Sequence, residues 1–394
     1  MHRAAPLWSS GFRPFYLCAA AYAPLLIAGV GGALAGLVDL AQAGSAAHLW
    51  HGHEMLFGFA VAVIIGTLLT ALPSWAGMPE IRGRALALLV GLWLLGRLAF
   101  WASPWLPRPL LALADALLLP CLIVLMAPSL WRLPERRYRL LPPFLLALAL
   151  ANGLYLVGLL RHDEGLALHG LRFGVYAVMV LYVAVGGLLT PIFTGNALRQ
   201  SGRGVQAPFL PALEWLAIGL VVLLAALDLL GANRAWVGAT ALCCALVHAL
   251  RVVRWKGWRA REDGLLWPMH LGFAWLIVAF ALRALASLSG AVPPAAWLHA
   301  FTIGALGLMM LGLMTRVSLR HTGRPLVVPH TMLVAYGLMF AAALLRLAAT
   351  MRGLGPGMIA LAAALWAAAF TLYFIRFRHS LLAPSLPRST PPPP

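Results

Sequence analysis

An all-α, polytopic integral membrane protein of about twelve transmembrane helices is what this sequence predicts, and three observations predict it. Hydrophobic residues make up 62% of the 394 and charged residues only 10%, with a mean hydropathy of +0.89. A soluble domain carries roughly 45–50% apolar and 25% charged residues. The apolar residues are gathered into runs of about 20, the length a spanning helix needs. Lys and Arg fall in alternate connections between those runs.

Taken in order, the first run, 14–38, follows Arg3 and Arg13, and the second and third, 54–75 and 84–103, are joined through Arg82 and Arg84. The fourth, 108–130, opens at Arg108 and leaves through Arg132, Arg136, Arg137 and Arg139. The fifth, 141–160, ends at Arg161, and the sixth, 167–193, leads into Arg199 and Arg203. The seventh, 209–230, is followed by Arg234, and the eighth, 235–254, by a basic set of Arg251, Arg254, Lys256, Arg259 and Arg261. Runs nine to twelve lie near 265–288, 296–318, 328–350 and 354–375. Arg316, Arg320 and Arg324 follow the tenth, Arg352 the eleventh, and Arg376, Arg378 and Arg388 the twelfth. No connection is long enough for an extramembrane domain, so residues 1–380 form one transmembrane unit and 381–394 a disordered, Pro-rich tail.

The basic set occupies one face, and the other holds little beyond Arg108, Arg161, Arg234 and Arg352. By the positive-inside rule both termini are cytoplasmic. The formal charge of +18 then reads as topology and contact with anionic lipid, and nucleic acid is excluded as a partner. Ala41 to Ala43 imitate a signal-peptidase site, but the preceding apolar run of about 24 residues exceeds an h-region of about 7–15 and stays as the first helix. Cys18, Cys121, Cys243 and Cys244 all fall in predicted spans without CxxC spacing, so they form neither a disulfide framework nor a zinc site and act as small hydrophobes. Gly32-x-x-x-Gly36 is an ordinary close-contact motif.

Polar groups inside a bilayer are expensive and mark working sites. His51-Gly52-His53-Glu54-Met55, at the mouth of the run Leu56 to Leu72, is the most pointed instance. The topology sorts the histidines by depth. His48, His51, His53, His162, His169 and His299 lie toward the outer face, and His248, His270, His321 and His330 toward the inner. His299 and His321 end the same run, and 22 residues at 1.5 Å each span about 33 Å, so an unbroken helix forbids a shared ion. His51 and His53 are about 200° apart on a helix and on one side of an extended segment. They ligate one ion only if the chain before Glu54 is not yet helical; otherwise each imidazole meets a different neighbour. Glu54 can orient an imidazole N–H or pass protons, with Asp115 deeper on the same route. His48, His162, His330 and His379 read as polar anchors, and His2 sits in a terminus. Arg97, Arg283 and Arg346 lie inside spans and call for carboxylate partners, of which Asp115 and Asp228 are available. Arg316 and Arg324 flank His321 and can pair with an anionic group or serve as basic anchors.

These segments resemble the NnrS family. The resemblance is carried by Phe12-Arg13-Pro14-Phe15, Trp50-His51-Gly52-His53-Glu54-Met55, Pro191-Ile192-Phe193-Thr194, Pro268-Met269-His270, Leu298-His299-Ala300-Phe301 and His321-Thr322-Gly323-Arg324-Pro325, in order along nearly the whole chain. Leu188 and Arg320 depart from the family pattern, where Arg and Gly are usual. The resemblance implies a bacterial inner-membrane protein of nitric oxide metabolism and nitrosative-stress relief that carries haem and copper. It implies His51, His53, His270, His299 and His321 as ligands, with Arg316 at the haem, and does not divide the ligands between the metals. Imidazole suits both. No CxxCH is present, so the haem is of b type rather than covalently attached, and electrons come from quinol or another donor. The expected reaction is reduction of two nitric oxide molecules to nitrous oxide, with Glu54 carrying protons. The alternatives are a nitric oxide sensor or scavenger without turnover, a copper-handling protein, and a proton-coupled transporter; the last would show internal repeats, and none is visible.

Overall fold

The runs fold as helices because lipid offers no partner for a backbone N–H or C=O, so each span must satisfy its own. The computed structural model describes residues 5–34, 37, 47–131 and 141–387. The expectations on His2, Arg3, Gly36, Ala41 to Ala43, Arg132, Arg136, Arg137, Arg139, Arg388 and the last seven residues of the tail lie outside the described residues.

Twelve helices long and apolar enough to cross a membrane are present among the described residues: α1 Phe12–Ala33, α2 Ala47–Trp75, α3 Arg84–Trp101, α4 Arg108–Pro128, α5 Leu141–Arg161, α6 Glu164–Gln200, α7 Pro211–Leu229, α8 Arg234–Trp255, α9 Trp267–Leu288, α10 Ala295–His321, α11 His330–Arg352 and α12 Pro356–Leu382. No strand occurs among them. The protein is an all-α polytopic membrane protein. Local chemistry sets many of the ends. Asp163 caps α6 by accepting from Leu166 N at 2.9 Å, and Asn233 caps α8 by accepting from Ala235 N at 2.8 Å, which satisfies amides that have no partner in the first turn. Pro211 and Pro356 open α7 and α12, where a missing N–H costs nothing.

Successive helices pack as neighbours, and α1 closes the arrangement against α12. α2, α10 and α6 are the most enclosed, with 89%, 67% and 56% of their apolar windows buried, whereas α7 is at 17% and faces lipid. The same three helices each contain a π-helical segment: Glu54–Ala60 in α2, Tyr182–Gly186 in α6 and Ala300–Gly307 in α10. Such segments displace side chains relative to an α-helix and recur at functional sites. Gly58 O, in the first of them, accepts from Trp93 Nε1 at 2.8 Å.

Three sequence expectations change. α2 begins at Ala47, seven residues before the predicted 54, because the polar His51-Gly52-His53-Glu54 turn faces protein instead of lipid. Arg13 and Arg251 are not surface anchors; they are 2% and 1% exposed. Arg13 Nη1 donates to Leu381 O and Ala383 O, both at 2.7 Å, and its Nη2 to Ser385 Oγ at 2.8 Å. That grip docks the segment after α12, so the chain through residue 387 belongs to the folded unit. Leu386 N donates to Thr322 O at 2.9 Å, and Gly323, at φ +75°, lies where a Cβ would meet Leu386 O at 2.3 Å. The Phe12-Arg13 and Thr322-Gly323 motifs are thus two halves of one clasp.

Candidate metal and proton sites

In a helix His51 and His53 diverge, and here they do. His53 enters a knot of polar side chains from α1 to α5, and His51 turns toward α10 and α11.

His53 is 0% exposed and stacked between Phe100 and Tyr155, with ring centroids at 4.1 and 4.4 Å. Its Nδ1 faces Glu54 Oε1 at 2.9 Å, and its Nε2 faces Asn152 Oδ1 at 3.0 Å and Asp115 Oδ2 at 3.3 Å. Both nitrogens meet acceptors, so both act as donors and the ring is an imidazolium. Arg97 donates to both Glu54 and Asp115, and Tyr22 donates its hydroxyl proton to Glu54 Oε2. Asn152 Nδ2 donates to Asp115 Oδ2 at 2.8 Å. Two carboxylates balance one guanidinium and one imidazolium, which is the condition for holding four charged groups away from water. Glycines make room: a Cβ on Gly58 would meet Arg97 Nη1 at 2.9 Å, and one on Gly96 would meet Asp115 Oδ1 at 2.9 Å. The carboxylate partner expected for Arg97 is present and is double, Asp115 together with Glu54; the sequence left the pairing among Asp115 and Asp228 open.

His51 and His299 lie within electrostatic reach of one another and of Arg346. His299 Nδ1–H donates to Ala295 O at 2.9 Å, and its Nε2 accepts from Arg346 Nη2 at 3.3 Å. The backbone carbonyl therefore fixes the tautomer that carries its lone pair on Nε2. His51 Nδ1 is buried and has no hydrogen-bond partner among the described residues. Arg346 has Thr350 Oγ1, at 2.6 Å, as its second acceptor rather than the carboxylate expected from sequence. Arg283 has a carboxylate partner, and the structure assigns it to Asp228, which also accepts from Tyr176 at 2.8 Å.

His270 and His321 are arranged differently. His270 lies flat on Gly257, where a Cβ would meet the ring at 2.4 Å. Thr194 spends its hydroxyl proton on Thr190 O at 2.8 Å, so His270 Nε2–H donates to Thr194 Oγ1 at 2.9 Å and Nδ1 keeps the lone pair. His321 ends α10 against Phe12, with ring centroids 5.7 Å apart. α10 is unbroken from Ala295 to His321, so His299 and His321 lie at opposite ends of one helix. The Arg316 guanidinium sits 3.9 Å above the Phe193 ring.

The exposed residues His48, His162, His330 and His379 match the anchor reading. The four cysteines are free. Among the described residues no group of three or more His, Cys, Asp or Glu is arranged to hold a metal ion. Haem can be held by imidazole nitrogens, and the donor set here is of that chemistry: His299 keeps its lone pair on Nε2, and His51 has a buried Nδ1 with no partner among the described residues. Sequence reasoning passed over His248, which is 1% exposed with neither nitrogen partnered and rests on Phe280 at 5.2 Å. It also passed over the pair of Arg251 with Glu214. The available signal was the three-residue spacing of His248 and Arg251 in an otherwise apolar run.

Compared with known protein families, residues 6–385 match the family described as NnrS protein. No curated protein matches the chain.

Proposed function

The chain belongs to the NnrS family, whose general role lies in nitric oxide metabolism, and from that premise we propose that it is a haem- and copper-containing protein of the bacterial inner membrane that reduces nitric oxide. The balanced reaction is two nitric oxide, two electrons and two protons giving nitrous oxide and water. The observation that carries this reading is the buried His51 Nδ1, which has no partner among the described residues, on a side chain within electrostatic reach of His299.

When bound, haem iron and copper supply the open coordination positions and the redox change that nitric oxide reduction needs. The chain's own residues do the rest. His51 and His299 are the outer ligands and His270 and His321 the inner ones. Ala295 O and Thr194 orient the rings, as hydrogen-bond partners of ligating histidines do. Arg316, over Phe193 at the inner side, is the basic group for a propionate. His53 departs from the ligand role suggested by the family resemblance: with both nitrogens donating, it orients Glu54. Glu54, ionised in the knot and hydrogen-bonded by the Tyr22 hydroxyl and the His53 imidazolium, is the base that would take up and pass protons beside the outer site.

The test is haem and copper analysis of the purified protein, followed by anaerobic addition of nitric oxide to the reduced form with nitrous oxide measured in the headspace. Nitrous oxide is expected, and His51→Ala is expected to remove one metal and spare the inner one. Absence of both metals overturns the reading. A spectral change without nitrous oxide replaces it with a binding protein that does not turn over.

A further inference from the structure

A cleft of about 970 Å³ opens between α5, α6, α7 and α8. None of the proposed ligand histidines lines it. Its walls are apolar, and its volume is at the upper end of small-molecule sites. It opens sideways through Phe209, Trp215 and Val222, which are 62%, 57% and 50% exposed, where a spanning protein meets lipid. Its ligand therefore enters from the bilayer.

At one end the apolar lining gives way to Gln206, Glu214, Arg251 and Arg254. Arg251 donates through Nη2 to Glu214 and, at 3.4 Å, to Val183 O, while its Nε and Nη1 are buried with no partner. The guanidinium is seated on Gly187, where a Cβ would meet Nη2 at 2.0 Å. A buried arginine with two spare donors calls for an acceptor, and the carboxylate next to it is an acceptor for a donor. Arg251 and Glu214 neutralise each other, and Arg254, at the same end, donates to Pro208 O at 3.3 Å. A hydroquinone ring offers what the pair needs, an oxygen that accepts from Arg251 and an O–H that donates to Glu214, on a long apolar tail.

We propose that this cleft binds an isoprenoid quinol, its ring at Arg251 and Glu214 and its tail along the apolar walls. The position has a second consequence. Arg251 stands 5.4 Å over the Trp255 ring, and Trp255 meets His270 edge to face with centroids 6.3 Å apart. One indole therefore separates the quinol ring from the inner histidine. Oxidation of the quinol breaks two O–H bonds and releases two protons and two electrons as quinone forms. That those electrons go to nitric oxide rests on the function proposed above, in which two molecules take up the same two electrons and two protons.

The test uses the whole protein in mild detergent. Bound quinone is extracted and quantified, and a decyl-tailed quinone is titrated against fluorescence of the cleft tryptophans Trp215 and Trp255. Near-stoichiometric quinone and saturable quenching are expected. Glu214→Gln, which keeps the shape of the pair, and Ala184→Trp, which fills the cleft, should each weaken binding by about tenfold or more, the equivalent of one buried charge-assisted hydrogen bond. Leu98→Trp, on a lipid-facing surface, should leave it unchanged. The inference is overturned if no quinone is held, if phospholipid is the extracted occupant, or if both cleft variants bind as the parent does. Failure of the two proposals separates cleanly. Nitrous oxide from chemically reduced protein that binds no quinone sinks the cleft alone, and saturable quinone binding without nitrous oxide sinks the reduction alone.

Discussion

Replacing Arg97 with Met removes the guanidinium that bridges Glu54 and Asp115 and leaves every other member of the knot in place. The three side chains are 5%, 0% and 2% exposed, so water cannot replace what is lost. The variant holds two carboxylates against the His53 imidazolium alone, one negative charge in excess within protein. Breaking a buried pair from one side costs about 3–5 kcal/mol, or about two to almost four orders of magnitude in the folded-to-unfolded ratio. Pairing the change with Glu54→Gln restores the balance of charge, so the double variant should lie above the sum of the single effects by about 0.5–3 kcal/mol. Unfolding by SDS in mixed micelles, followed by the fluorescence of the 15 tryptophans, measures both. An Arg97→Met protein within about 0.5 kcal/mol of the parent, or a double variant that is simply additive, would refute the account of the knot as a balanced buried cluster.

Two further predictions concern other parts of the structure. Thr194→Val removes the acceptor that orients His270, and the affinity of the inner site for its metal group should fall by about 10–100-fold, measured as retention during a competing chelator or apomyoglobin challenge; unchanged retention would take His270 out of the ligand set. Gly323→Ala places a Cβ at φ +75° against Leu386 O, a backbone penalty of about 1–2 kcal/mol before the clash is counted. Limited proteolysis should then cut the segment after Leu382 faster than in the parent, and equal protection would argue that the clasp is not what docks it.

Several features of the site were legible in the chain before folding. The two ends of α10 are far apart because rise per residue is a one-dimensional property, so His299 and His321 could be assigned to different ends from spacing alone. The divergence of His51 and His53 also follows from helical rotation, once the segment is known to be helical. What spacing did not give was that condition: α2 starts early because its first turns face protein, and burial against α6 is not a local property. The short supply of intramembrane carboxylates said that Arg97 and Arg283 need acid partners, but which acid each takes was decided by packing. Arg346 defeated the same reasoning because its acceptors are His299 and Thr350. Arg251 was grouped with basic residues that follow it in sequence, although the helix places it inward and they lie at the surface.

The sequence by itself determined the solvent this protein lives in, the number and order of its spans and its family, because each depends on composition, run length or motifs read along one chain. Tertiary structure alone decided which side chains meet. A membrane helix is apolar on all sides, so no amphipathic period marks the face that packs inward, and nothing in the sequence announces a π segment. Packing of the helices brought Arg97 to two carboxylates, Arg283 to Asp228 and Arg251 to Glu214, since a charged or polar group away from water is tolerated only where packing delivers its partner.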